Sequence, residues 1–255
     1  MSIIKNHIPL LEYDSNPQSV IMPDHEKLGV SLPEKAVFAF LSDHIDAYAL
    51  SNRGRKIAEF ITITKTFPIY VVEYSGQEVC LCQAPLGAAA AAQMMDWLIG
   101  DGVKNIISAG CCGALEDIPE NTFLVPMKAL RDEGASYHYL PPSRFVYIRL
   151  HGLKAIEAAL RMNHYNYIEC VTWSTDGFYR ETAEKVAYRK AEGCSVVEME
   201  CSALAACAEF RKVNFGQILF TADTLADTDN YCERDWGKDS FDIALHLCLE
   251  AVIRM

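Results

Sequence analysis

An α/β three-layer sandwich around a distorted, mostly parallel central sheet is the fold class this sequence predicts. Three observations predict it. Short apolar runs rich in Val, Ile and Phe alternate with helical patterns along most of the chain. No internal repeat, low-complexity tract or Pro/Ser/Gly-rich linker divides it, so residues 1–255 read as a single domain, with about the first 35 residues peripheral. A chain of 255 residues is long enough to bury a full core.

The elements follow in order. Ala36 to Leu41 (AVFAFL) is a strand that ends at the polar turn Ser42-Asp43-His44. Pro68 to Gln83 reads as two strands around Ser75-Gly76, a hairpin signal. Pro85-Leu86-Gly87 punctuates the exit. Ala88 to Ile99, built from strong helix formers, is a helix closed by Gly100. Val103 to Ala109 is a short apolar strand expected to stop at Gly110-Cys111-Cys112-Gly113. Thr122 to Leu130, Tyr167 to Trp173, Ser195 to Met199 and Phe215 to Ala222 are further strands. Leu150 to Met162, Thr182 to Ala191, Cys201 to Phe210 and Ser240 to Met255 are the helices between and after them. The last is amphipathic, with Phe241, Ala244, Leu245, Cys248, Leu249 and Val252 at helical spacing.

Composition narrows the function. With 23 Lys+Arg against 34 Asp+Glu the formal charge is −11, which disfavours nucleic-acid and anionic-membrane binding. The densest basic run, Arg53-Gly54-Arg55-Lys56, reads as a solvated loop. No apolar stretch approaches the roughly 20 residues that span a bilayer, and the first residues lack an export signal. The ten cysteines sit mostly in apolar runs without zinc spacing, so reduced thiols in a cytoplasmic protein are expected, with no metal.

In a parallel sheet small ligands bind at the carboxyl ends of the strands, so the polar turns there carry the candidate chemistry. Glu198-Met199-Glu200 places two carboxylates after a Val-Val strand. Buried carboxylates need partners, and the vicinal diol of a ribose is one; acidic residues favoured at a helix start is the other reading. Asp223 follows the apolar run Gln217 to Ala222. Apolar surroundings raise a carboxyl towards a general acid's range, whereas a turn aspartate is the plainer reading. Gly110 to Gly113 allows backbone to approach a ligand. Phe178 and Tyr179 form either a stacking wall for a planar base or an aromatic pair of the core.

Taken together and in this order, IISAGCCGAL (Ile106 to Leu115), STDGFYRET (Ser174 to Thr182), VVEMECSAL (Val196 to Leu204) and TADTL (Thr221 to Leu225) resemble the nucleoside phosphorylase family. That family contains the hexameric purine nucleoside and uridine phosphorylases and the methylthioadenosine nucleosidases. The resemblance runs from about Ala36 to the C-terminus and is that of a bacterial branch. It implies that Met199 and Glu200 hold the ribose hydroxyls with Glu198 in support. Phe178 packs against the base beside Cys112 and Gly113. Asp223 protonates purine N7, and Arg234 assists it. It also implies a homodimer or homohexamer, no organic cofactor, and inorganic phosphate as co-substrate.

Uridine-specific relatives read uracil with Gln-x-Arg and lack the acid. Here Arg180 and Glu181 are the polar groups near Phe178, and Asp223 is present, so a purine is favoured over uridine phosphorylase activity. The pattern breaks at the anion. Ser42, Asp43 and His44 stand where phosphorolytic relatives carry Gly-Asp-Pro-x-Arg. Ser108 replaces an arginine and Cys111 a hydroxyl, and Gly87 completes the phosphate or water site. Two guanidiniums are gone, and Asp43 and Asp46 repel a dianion. Other groups, such as His44, Arg131, Arg144 or Arg180, hold phosphate instead, or an acid such as Asp43 or Asp46 activates water. The leading expectation is phosphorolysis of a purine nucleoside. A nucleosidase comes second, and a non-catalytic nucleoside-binding protein is disfavoured by Glu200 and Asp223 together.

Overall fold

The structure is a computed structural model of the chain and describes residues 2–255. A two-stranded antiparallel ribbon of β1 (Ile3–Ile4) and β2 (Tyr13–Asp14) stands apart from the main sheet. The remaining ten strands form one sheet. They are β3 (Lys35–Ala39), β4 (Arg55–Ile61), β5 (Thr66–Tyr74), β6 (Gln77–Gln83), β7 (Asn105–Ala114), β8 (Phe123–Asp132), β9 (Phe145–Tyr147), β10 (Tyr167–Thr175), β11 (Val196–Glu198) and β12 (Asn214–Thr224). Their order is β11-β10-β8-β12-β7-β3-β6-β5-β4, with β9 on β8. The ladders that build the middle of the sheet, β3 with β6 and β7, β7 with β12, and β10 with β8 and β11, are parallel.

The distortion has a definite form. Strand β11 pairs with β10 on one side and returns to β7 on the other, through Val196 opposite Ala114 and Val197 opposite Gly113. Strands β7, β12, β8, β10 and β11 therefore close on themselves, while β3, β6, β5 and β4 extend as an open wing. Closure draws the carboxyl ends of β7, β11 and β12 together.

Helices α2 (Ala88–Gly100) and α5 (Cys201–Arg211) pack together, while α1 (His44–Ser51) and α3 (Leu150–Met162) flank α6 (Phe241–Val252), giving the helical layers over the sheet. Helix α4 (Ala183–Ala191) buries Val186 with Leu130, Trp173 and Val197. The main core combines β3 and β7 residues such as Val37, Phe38, Ile106 and Ile107 with Met94, Leu98, Leu204 and Leu245 from the helices. The β5–β6 hairpin turns at Ser75 and Gly76, both with positive φ, 50° and 75°, as a two-residue primed turn requires.

Three local expectations change. Strand β7 does not stop at Ala109 but runs through Gly110–Gly113 to Ala114, paired by β12 and capped by β11. Its glycines serve closeness rather than unusual dihedrals. A Cβ on Gly110 would lie 3.3 Å from the Phe40 Cβ, and one on Gly113 only 2.9 Å from Leu225 Cδ1 and 3.1 Å from Asp223 Oδ1. His44–Ser51 is a helix, not the continuation of a turn, held down by Ile45 and Ala49 one helical turn apart. The basic run is not a loop throughout, since Arg55 opens β4, an edge strand on which exposed cations discourage pairing with another chain.

Helix α3 crosses β12 backbone to backbone at Gly152. A Cβ there would sit 2.2 Å from the Phe215 carbonyl oxygen and 2.7 Å from its carbon, neither of which can rotate away. Gly152→Ala should therefore cost about 3 kcal/mol or more, read as a lower urea midpoint. An unchanged midpoint would mean that the crossing is looser than described.

Candidate active site

The junction of β11 and α5 sets the first part of the site. Strand β11 lies parallel to β10 with Ser174 opposite Glu198, which turns the Glu198 side chain onto hydroxyls of its neighbour. Glu198 Oε1 accepts from Thr172 Oγ1 at 3.1 Å and Ser174 Oγ at 2.5 Å. Its Oε2 accepts from the backbone N–H of Glu200 and of Cys201, each at 2.7 Å. Four donors saturate the carboxylate and tie down the start of α5. Burial raises the Glu198 carboxyl and these donors act against it. The residue is a support with nothing left to offer a ligand.

Glu200 differs. It is 5% exposed, and Oε1 accepts a single backbone bond, from Gly87 N–H at 2.6 Å. Burial, and next the nearby Glu198, push its carboxyl up to about 8. Gly87, read from the sequence as part of the anion site, instead anchors Glu200. Its φ of +93° turns the chain into α2. Met199 between the two glutamates is half-buried.

Asp223 lies in β12, 6% exposed, directly over Gly113. Burial raises its carboxyl above the ordinary aspartate value, opposed by the Tyr231 hydroxyl and by the charge of Arg234. The charge of Arg234 reaches Asp223, and its Nη1 is buried without a hydrogen-bond partner among the described residues. The Glu200 and Asp223 carboxyls both act on the thiol of Cys111. Burial, then Asp223 and Glu200, push its thiol up to about 11, so it stays protonated near neutral pH. Cys112 departs from expectation. The alternation of β7 turns it inward, 3% exposed, with its thiol towards the Phe220 carbonyl oxygen at 3.5 Å. Its side chain cannot meet a base.

Beside Asp223 opens a cavity of about 340 Å³, faced by Phe178, Tyr179, Leu225 and Tyr231. Phe178 is partly exposed and meets Tyr179 edge-on, 5.1 Å between ring centres. Glu181 also lines this cavity, and burial, then Asp223, push its carboxyl up to about 7. In the sequence it is merely a polar neighbour of Phe178, because nothing local signals that a residue after Phe-Tyr-Arg will be enclosed.

Apart from Gly87 and Cys111, the expected anion groups do not join this arrangement through any hydrogen bond or ion pair of the described residues. Ser42, with φ +52°, donates to Asp43 Oδ1 at 2.6 Å, and Asp43 is exposed. His44 pairs with Asp242 at 2.6 Å and stacks on Phe241 of α6. Ser108 is fully buried in the sheet, its hydroxyl unpartnered among the described residues. Arg131 is spent on Ser136, Ser143 and the carbonyls of Leu140 and Pro141. Arg144 is held bidentate by Glu192 at 2.6 and 2.7 Å. Asp46 faces Tyr70. Among the described residues no His/Cys/Asp/Glu group is arranged to hold a metal ion, and no helix is long and apolar enough to cross a membrane.

The family model described as the phosphorylase superfamily matches residues 36–253, nearly the whole chain. The chain belongs to the phosphorylase superfamily. Within that superfamily it is 25% identical over 203 residues to a guanosine phosphorylase of Halorubrum lacusprofundi, covering 76% of this chain and 84% of that one. It is 26% identical over 189 residues to a DeoD-type purine nucleoside phosphorylase of Bacillus cytotoxicus, covering 71% and 78%. In fold it is similar to a crystal structure of uridine phosphorylase from Vibrio fischeri, with a TM-score of 0.78 at 22% identity over 93% of this chain and 100% of that one.

Proposed function

We propose that this superfamily member cleaves the N-glycosidic bond of a purine nucleoside with phosphate, giving free base and ribose 1-phosphate. One observation carries the reading: two buried carboxyls with raised pKa, Glu200 and Asp223, both act on the Cys111 thiol, and Asp223 lines a cavity walled by Phe178. The guanosine and purine nucleoside phosphorylases that it resembles support the same chemistry.

In this reading the ribose 2′- and 3′-hydroxyls donate to Glu200, which Gly87 and Glu198 hold in place. The base lies against Phe178. Asp223 passes its proton to N7 while the C1′–N9 bond breaks, its electrons moving into the purine. A phosphate oxygen bonds to the oxocarbenium-like C1′, and Asp223 regains a proton from solvent. Protonation of the leaving group and charge stabilisation of the sugar supply the rate. All ten cysteines are free, which supports a reducing, cytoplasmic setting. Exposed Ile21, Ile61 and Ile63 on a groove of about 970 Å³ support a homodimer or a hexamer built from dimers.

Hydrolysis is the second reading, favoured by the spent side chains of Arg131 and Arg144 and by the absence of arginine at Ser108 and around Asp43. In that reading an acid such as Asp43 or Asp46 activates water, and Asp46 keeps a buried Oδ1 without a partner among the described residues. Base release from inosine, guanosine, adenosine, methylthioadenosine and uridine, each with and without phosphate, decides the matter. Release that requires phosphate and yields ribose 1-phosphate is expected. An equal rate without phosphate would make the enzyme a nucleosidase, and no release would leave only nucleoside binding.

A further inference from the structure

Past β12 the chain folds back over the site. Residues 225–237 leave the strand at Thr224, and Leu225, Asp227 and Tyr231 form one wall of the cavity that Asp223 lines. Backbone fixes the near end of this segment. Thr224 N–H donates to the Cys232 carbonyl at 2.9 Å, and Cys232 N–H returns a bond to the Thr224 carbonyl at 3.4 Å. The far end depends on a side chain from elsewhere. Glu120, half-buried on the connection between β7 and β8, accepts with its Oε1 from the N–H of Asp235 at 2.9 Å and of Gly237 at 2.8 Å. Its own loop is anchored to β12. Thr221 Oγ1 donates to the Pro119 carbonyl at 2.6 Å, and Asn121 N–H donates to the Thr221 carbonyl at 3.0 Å.

The backbone that Glu120 grips would not keep its shape alone. Arg234, Trp236 and Gly237 have φ of +53°, +59° and +67°. Two residues with side chains in the left-handed region persist only where their surroundings hold them, and such outliers cluster where function needs them. A turn of this kind aims its N–H groups to one side and suits an anion, and a carboxylate makes the stronger, charge-assisted bonds there. Glu120 forms no ion pair among the described residues, because Lys238, the cation whose charge it meets, pairs with Asp235. The gripped segment carries Tyr231 and Arg234, the two side chains that favour the ionised form of Asp223. We propose that Glu120 is a positioning residue for the general acid: by holding Asp235 and Gly237 it keeps residues 225–237 as a cavity wall, with Tyr231 and Arg234 directed towards Asp223. This rests on the reading of Asp223 as the acid. As the proton passes to N7 a carboxylate forms at Asp223, and groups already in place stabilise that charge without rearranging.

The test reads the segment and the reaction separately, on the intact protein. Hydrogen exchange of the Asp235 and Gly237 amides and acrylamide quenching of Trp236 need no turnover; Trp97 and Trp173 are buried, so quenching reports Trp236. Glu120→Ala should speed exchange of both amides by roughly 10–100-fold, the worth of hydrogen bonds to a charged group, expose Trp236 further, and lower kcat on inosine by about tenfold. Glu120→Gln keeps an acceptor oxygen and should recover most of each change. Glu120→Asp, too short to reach, should act in the same direction as alanine and serves if that variant does not fold. Glu116→Ala, an exposed acid of the same loop, should behave as wild type. In an Asp223→Asn background Glu120→Ala should cost less than about twofold further, because the group it serves is gone. Wild-type exchange in Glu120→Ala, undiminished kcat despite faster exchange, an equal loss in Glu116→Ala, or a full further loss in the Asp223→Asn background would overturn the proposal. Near wild-type kcat in Asp223→Asn itself is the separate failure of the acid reading. Opening of the segment in Glu120→Ala and not in Glu120→Gln, in a protein that cleaves no nucleoside, would uphold the grip of Glu120 on this wall and overturn the proposed reaction alone.

Discussion

Asp223→Asn should lower kcat on a purine nucleoside by roughly 10²–10⁴-fold, the contribution of a positioned general acid, with KM little changed. The amide keeps the shape and can still donate to N7, but it cannot hand over a proton. Folding should not suffer. Burial raises the Asp223 carboxyl in the native protein, so ionising it works against the fold, and the neutral amide removes that cost. The check is steady-state kinetics beside an unfolding curve. Near wild-type kcat in a folded variant would take the acid role away from Asp223.

Glu200→Gln should reduce kcat/KM by roughly 100-fold or more, because two charge-assisted hydrogen bonds to the diol become two weaker ones. The same variant has a stability signature. The native carboxyl titrates at about 8 against an ordinary value of 4.5, so between these pH values the folded protein holds a proton that the unfolded chain has released. Stability of the ligand-free protein therefore falls as pH rises through that window, by on the order of 5 kcal/mol for this group. Glu181, pushed up to about 7, contributes with the same sign over the lower part. Glu200→Gln should flatten the decline, most clearly towards pH 8, where the contribution of Glu181 is fading. Urea unfolding at several pH values measures it. A decline as steep in the variant as in wild type would mean that Glu200 is ionised normally in the empty site.

The elements with dense apolar signals were legible in the sequence. The Ala88–Gly100 helix, the Val-Ile-Phe strands and the Ser75-Gly76 hairpin turn all state themselves locally. Helix α1 did not, because only Ile45 and Ala49 are buried and the rest, Leu50 included, is exposed or half-exposed. The error at Gly110–Gly113 was one of range. Glycines after an apolar run look like a stop, and what continues the strand is pairing with β11 and β12, some 80 to 110 residues away in the chain. Read as a strand, that stretch would have told Cys111 from Cys112 by simple alternation. The Glu198-Met199-Glu200 motif was visible as two acids, but not that one carboxylate is saturated by four donors and the other is held by one. Glu181 gave no signal at all, since its enclosure comes from β12 and the Tyr231 segment.

Proton delivery from Asp223 to N7 is the centre of this account, and 7-methylguanosine tests it most directly. Its N7 already carries a methyl group and a positive charge, so its base departs without a proton from the enzyme. Asp223→Asn should lose most of its activity on guanosine yet keep turnover of 7-methylguanosine within about tenfold of wild type, since only the general-acid contribution is bypassed. Equal losses on both substrates would contradict the account and assign Asp223 to positioning or binding.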